Sequence, residues 1–134
     1  YAHSAQVLGY AVTPVALDDD FQLRPDAMDE ALGSATICFL ARPNNPTSSL
    51  WDADVIEWLT RRHPDTIIVV DEAYGAYAPG TTLYRRDLPS NRVHMSTLSK
   101  VGLASLRLGY AVADSELALA LHKVRHPYNI SSYS

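Results

Sequence analysis

Apolar runs of strand length recur along this chain between amphipathic stretches, and Pro, Gly, Asn and Asp join them. That alternation constrains the fold more than any other feature, because it is the pattern of an α/β layer protein, with a mostly parallel sheet and flanking helices. The first eight residues read as the end of a helix stopped by Gly9. A strand from Tyr10 to Leu17 is expected next, marginal or near an edge because it contains Pro14. Asp18-Asp19-Asp20 makes a turn, Pro25 suits the first turn of a helix through Leu32 stopped by Gly33, and Ala35 to Ala41 reads as a buried strand. Residues 43–49 form a polar loop.

Farther along, Asp52 can cap a helix carrying Val55, Ile56, Trp58 and Leu59, which stops at His63-Pro64. Thr66 to Val70 is the most strand-like run, with Asp71 at its carboxyl end. A long connection from Glu72 to Asn91 leads to strands at Val93 to Thr97 and Leu106 to Ala113. A helix from Asp114 or Ser115 to about Val124 follows, ended by Pro127. No linker or low-complexity segment divides residues 1–134, so a single domain is expected.

Composition narrows the partners. With 11 Lys and Arg against 15 Asp and Glu the net charge is −4, and basic residues cluster only in pairs such as Arg61-Arg62 and Arg85-Arg86. That argues against nucleic acid. The longest apolar runs fall well short of the roughly 20 residues that span a bilayer, which argues against a membrane. Cys38 is the only cysteine, so no intrachain disulfide forms, and its apolar neighbours suggest a buried thiol in a reducing compartment, here the cytoplasm. Of the five histidines, His122 and His126 stand four apart without a third ligand nearby, so no metal site is expected. The chain opens on Tyr1 without a leader, which reads as a processed form or a fragment.

In open α/β sheets ligands bind beyond the carboxyl ends of the strands. Four such positions here are unusually polar: Pro43-Asn44-Asn45-Pro46-Thr47, Asp71-Glu72-Ala73-Tyr74, Thr97-Leu98-Ser99-Lys100, and Arg107. Each alone has a dull explanation, such as a turn, a helix cap or a surface pair. Together they offer a Lys, a carboxylate, a phenol, an amide, two hydroxyls and an Arg, which are the needs of pyridoxal phosphate. Its aldehyde takes a Lys amine as a Schiff base, and its ring nitrogen needs a carboxylate partner to act as an electron sink. Its phosphate needs Arg and hydroxyl donors. Its phenolic oxygen can accept from an amide and a Tyr hydroxyl.

With these residues in view, the chain resembles the fold-type-I, class I and II aminotransferases, and within them the histidinol-phosphate branch. Ala41-Arg42-Pro43-Asn44-Asn45-Pro46-Thr47 is similar to the family's Pro-Asn-Asn-Pro-Thr-Gly loop, and Val69-Val70-Asp71-Glu72-Ala73-Tyr74 to its Asp-Glu-Ala-Tyr segment. Thr97-Leu98-Ser99-Lys100, followed by Gly102 to Tyr110, resembles its Schiff-base lysine block. The late segment Pro127-Tyr128-Asn129-Ile130-Ser131 also matches, as do the spacings of 26 residues from Asn45 to Asp71 and 29 from Asp71 to Lys100.

The resemblance implies that Lys100 carries the cofactor and moves the proton, with Asp71 and Tyr74 as further catalytic groups. Asp71 pairs with the pyridine nitrogen, Asn45 and Tyr74 bond the phenolic oxygen, and Thr97, Ser99 and Arg107 hold the phosphate. Asn44 only shapes its loop, and Thr97 has the alternative of capping a turn. Amino transfer between histidinol phosphate and 2-oxoglutarate in a homodimer is the activity implied. Aromatic aminotransferases, threonine-phosphate decarboxylases and an incompetent truncated chain are the alternatives.

Two departures stand out. Ser48 replaces the loop's usual Gly, at a position where glycine would tolerate positive φ best, and Lys100 to Arg107 is 7 residues, one fewer than the commonest pattern. The family's glycine-containing phosphate loop, its ring-stacking aromatic and its carboxylate-binding arginine have no counterpart here, and Tyr1 is not given the stacking role. The chain therefore reads as the middle of a large domain. On the family's sheet order, another strand would lie between those near Tyr10 and Ala35.

Overall fold

The computed structural model describes residues 1–126 and Ile130. The rest of the late match, Pro127-Tyr128-Asn129 and Ser131, lies outside the described residues. Four strands, β1 (Ile37–Ala41), β2 (Ile67–Asp71), β3 (Arg92–Thr97) and β4 (Gly109–Ala113), form one sheet in the order β1-β2-β3-β4. The first three run parallel and β4 is antiparallel to β3. Helices α1 (Ala2–Val7), α2 (Pro25–Leu32), α3 (Ala53–Arg62) and α4 (Ser115–Val124) accompany them.

The helix ends follow local chemistry. Asp52 caps α3 by accepting from the Asp54 amide, and Asp114 caps α4 by accepting from the Glu116 amide. Pro25 opens α2, where its missing N–H costs no helical bond. Asp18 Oδ1 accepts from the amides of Asp20 and Gln22, building the expected acidic turn.

Helices α2 and α3 pack on β1 and β2 around Met28, Leu32, Leu40, Ile56, Leu59, Ile68 and Val70. Ile56, Leu59, Ile68 and Val70 are 0% exposed, and each such side chain stabilises the fold by about 1.5–3 kcal/mol. Asn91, just before β3, donates from one amide nitrogen to the carbonyls of Thr60, His63 and Thr66, locking the end of α3 to the sheet.

Three expectations need correction. The segment from Tyr10 to Leu17 is not a strand: none of the four described strands pairs with it, and Pro14 has no N–H to offer a ladder. It instead lays Val15 and Leu17 against the core. Strand β1 is not buried on both faces: Leu40 enters the core, while Ile37 and Phe39, on the opposite face, are 46% and 39% exposed. The last strand starts at Gly109 rather than Leu106, since Ala104–Leu106 form a 3₁₀ turn and Arg107 adopts φ +54, which no ladder accommodates. Cys38 is partly buried, and desolvation pushes its thiol up to about 11, so it is a poor nucleophile at neutral pH.

Candidate active site

The parallel strands β1 to β3 end along one edge, and their register places Ala41, Asp71 and Met95 side by side. The polar loops that follow therefore converge. Beyond β1 the loop is braced internally: the Ser48 amide donates to the Asn44 carbonyl at 2.8 Å, and Asn44 Nδ2 donates to Thr47 Oγ1 at 2.7 Å. Asn44 thus shapes the loop, as expected. Ser48 adopts φ +60, the left-handed geometry that makes glycine the easier residue there.

Beyond β2, Asp71 Oδ1 accepts from the Ala73 amide at 2.9 Å, turning the chain so that Tyr74 follows at the cleft. Asn45, Asp71, Ala73 and Tyr74 line this cleft of about 380 Å³ together with Tyr1 and Phe39. An adjoining cleft of about 490 Å³ shares Asn45 and Tyr74 and adds Ser48, Leu50 and Tyr77.

Tyr1 is the member that sequence reasoning left without a role. Its hydroxyl donates to Asp71 Oδ2 and its ring stacks on Phe39 with centroids 4.2 Å apart. Burial, the hydrogen bond and the Asp71 charge all hold the Tyr1 phenol well above its ordinary value. Nothing local in the sequence announces this contact across 70 residues.

Beyond β3, Thr97 Oγ1 accepts from the Ser99 amide at 3.1 Å and donates to the Leu108 carbonyl at 2.9 Å. Thr97 therefore caps the 3₁₀ turn Leu98–Lys100, the duller of its two readings, and keeps Ser99 beside the Arg107-Leu108 backbone. Lys100 Nζ stands over the Tyr74 ring, 4.9 Å from its centroid, a cation–π arrangement. The Tyr77 hydroxyl donates to the Lys100 carbonyl at 2.8 Å. Arg107 is exposed, and its guanidinium forms no hydrogen bond or ion pair among the described residues.

The structure thus brings Asn45, Asp71 and Tyr74 to one cleft, sets Lys100 against the Tyr74 ring, and places Thr97 and Ser99 on the turn that carries Lys100. Arg107 lies on the neighbouring turn.

The histidinol-phosphate aminotransferase of Acidovorax ebreus (strain TPSY) is 42% identical over 98% of this chain, which spans 38% of that protein's length. That of Polaromonas naphthalenivorans (strain CJ2) is also 42% identical, with 37% of its length covered. The chain thus spans less than two-fifths of these curated relatives. Among solved structures, the Sinorhizobium meliloti histidinol-phosphate aminotransferase in complex with pyridoxal-5'-phosphate superposes with a TM-score of 0.83, at 30% identity over 93% of this chain and 36% of that one. The Clostridium acetobutylicum enzyme superposes with a TM-score of 0.86 at 19% identity, a likeness of fold alone, over 97% of this chain and 41% of that one. The model of the aminotransferase class I and II family matches residues 1–134. An ordered set of strand-end residues on a fold-type-I sheet, and a family match over the whole chain, have one common explanation: the chain belongs to the class I and II aminotransferases.

Proposed function

We propose that this chain is the cofactor-binding part of a pyridoxal-phosphate-dependent aminotransferase that moves an amino group between histidinol phosphate and 2-oxoglutarate. The observation that carries it is the placement of Lys100 Nζ 4.9 Å from the Tyr74 ring, beside a cleft that Asp71 and Asn45 also line. The 42% identity to histidinol-phosphate aminotransferases supports the choice of amino donor. A cytoplasmic homodimer is part of the same proposal and rests on the resemblance.

The residues present fit the cofactor. A carboxylate, an amide and a phenol share one cleft with an amine at its side, and the two hydroxyls and Arg107 gather on adjacent turns. When bound, pyridoxal phosphate supplies an electron sink that stabilises negative charge at the substrate carbon. Lys100 Nζ would take up and return the proton at that carbon, with the Tyr74 ring 4.9 Å away to hold the side chain in position. Asp71 keeps the ring nitrogen's proton in place, with its own orientation fixed by the Ala73 amide and the Tyr1 hydroxyl. Asn45 and Tyr74 would donate to the phenolic oxygen, and Ser99 and Arg107 would hold the phosphate, while Thr97, whose hydroxyl already donates to the Leu108 carbonyl, would shape the turn that carries Ser99.

Lys100→Ala in the full-length protein tests this reading. It should remove the lysine-dependent visible absorbance and drop amino transfer by several orders of magnitude, and borohydride should fix the wild-type adduct at Lys100 rather than Lys123. Near-normal turnover of the variant would refute the assignment. Steady-state rates with histidinol phosphate against phenylalanine separate this donor from the aromatic ones.

A further inference from the structure

Behind the cleft, two buried charged side chains stand at the ends of neighbouring strands. Arg42 follows β1 and is 5% exposed; Glu72 follows β2 and is 4% exposed. Neither lines the cleft, and buried charges are costly unless their polar atoms find partners. Here both are satisfied by the same short segment. Glu72 Oε1 accepts from the Leu83 amide at 2.6 Å, and Oε2 accepts from the Thr82 hydroxyl at 2.5 Å. Arg42 donates from Nη1 to the Thr81 carbonyl and from Nε to the Trp51 carbonyl at 2.7 Å.

We propose that Arg42 and Glu72 are positioning residues, which grip the Thr81–Leu83 segment from two sides and thereby fix the two loops that carry Asn45 and Tyr74. The covalent distances make the coupling short. Asn45 is three residues after Arg42, and Tyr74 is two after Glu72. The main chain adds rigidity: the Arg42 amide donates to the Asp71 carbonyl, and the Glu72 amide to the Met95 carbonyl, each at 2.8 Å. Leu83 is itself buried in the core, so the segment that both charges grip is anchored rather than free. The Glu72 charge also offsets part of the burial that pulls the Arg42 guanidinium below its ordinary value. Side chains that touch no substrate can set reaction rates in this way, because a displacement of about 1 Å at a reacting group can cost about 100-fold.

The proposal rests on the reading above for its catalytic consequence, so its test includes a readout that needs no cofactor. In the cofactor-free full-length protein, Glu72→Ala should speed amide hydrogen exchange over residues 78–86 and also over 43–49 and 73–77. Once the protein is loaded with pyridoxal phosphate, the pH midpoint of its visible band should shift and kcat should fall about 10- to 100-fold. Glu72→Gln keeps an acceptor for the Leu83 amide and should recover most of both. Faster exchange confined to 78–86, with midpoint and kcat unchanged, overturns the proposal. Should Glu72→Ala not fold, Thr82→Val removes one bond of the grip alone. Exchange over 43–49 and 73–77 that stays at the wild-type rate in that variant also overturns it. A wild-type protein without a Lys100-dependent band refutes the aminotransferase reading, while exchange over the two loops still decides the role of Arg42 and Glu72.

Discussion

The Tyr1 hydroxyl donates a hydrogen bond to Asp71 Oδ2, and this pairing bears on how the phenol ionises. Burial first, then the bond to Asp71 and its charge, raise the Tyr1 phenol above its ordinary value of 10. A phenol whose pKa is higher folded than unfolded adds stability that is fully present below pH 10 and is lost as pH rises through the folded value. An ultraviolet difference titration should therefore find Tyr1 still protonated at about pH 11, identified by subtracting the Tyr1→Phe trace. Asp71→Asn should bring its ionisation part of the way back towards 10. Ionisation of Tyr1 together with the other tyrosines, such as Tyr10 and Tyr77, would contradict the pairing.

Ser48 holds φ +60 in the loop after β1. A non-glycine residue there costs roughly 1–2 kcal/mol, while glycine gives back about 0.4–1 kcal/mol through a more flexible unfolded chain. Ser48→Gly should stabilise the protein by up to about 1 kcal/mol, read as a rise in the urea midpoint at constant slope. A fall in the midpoint would mean that the Ser48 side chain contributes more than its backbone conformation costs.

The legible parts of this molecule are those whose causes lie close together in sequence. Asp52 and Asp114 announce their helices because a cap acts within three residues, and Pro25 marks its helix start for the same reason. The strand-end groups from Asn45 to Lys100 were readable because a parallel sheet delivers successive strand ends to one edge. What failed to show depends on neighbours. Tyr10 to Leu17 has the composition of a strand, yet a strand exists only where another pairs with it. The apolar run of β1 reads as buried, but only its Leu40 face enters the core, and Phe39 on the other face stacks against Tyr1. Arg42 and Glu72 look like surface charges until the Thr81–Leu83 segment folds over them.

Asn91 provides a test of the packing that supports the site. Its side-chain nitrogen serves the carbonyls of Thr60, His63 and Thr66 at 3.0–3.1 Å, those of Thr60 and Thr66 buried. Asn91→Ala removes the donor that serves the buried Thr60 and Thr66 carbonyls, at about 1–3 kcal/mol. The loss should appear in the unfolding midpoint. Asn91→Asp should cost at least as much, since a carboxylate can only accept. A variant as stable as wild type would show that these carbonyls find other partners.

His94 is a buried base that must charge against its surroundings in acid. It is 4% exposed on β3, its Nδ1 has no hydrogen-bond partner in the described structure, and the Tyr84 ring lies 5.4 Å away. Burial lowers its pKa below 6.5, the Glu72 and Asp71 carboxylates oppose that shift, and the Arg92 cation reinforces it. The sign follows from proton counts. Between the folded value and 6.5 the unfolded chain binds the proton and the folded chain does not, so stability falls as pH drops through that window. One proton gives at most about 1.4 kcal/mol per pH unit. Asp29, whose carboxyl is held below 3.8 chiefly by its bond to Arg62 and further by His63, acts only below that value. His94→Leu should therefore flatten the dependence of the unfolding midpoint between about pH 5 and 6.5, where an unshifted histidine would begin to titrate. At pH 7.5 the variant should be at least as stable as wild type, because it removes a buried nitrogen that has no partner. A slope that survives the substitution would assign the acid sensitivity to another group.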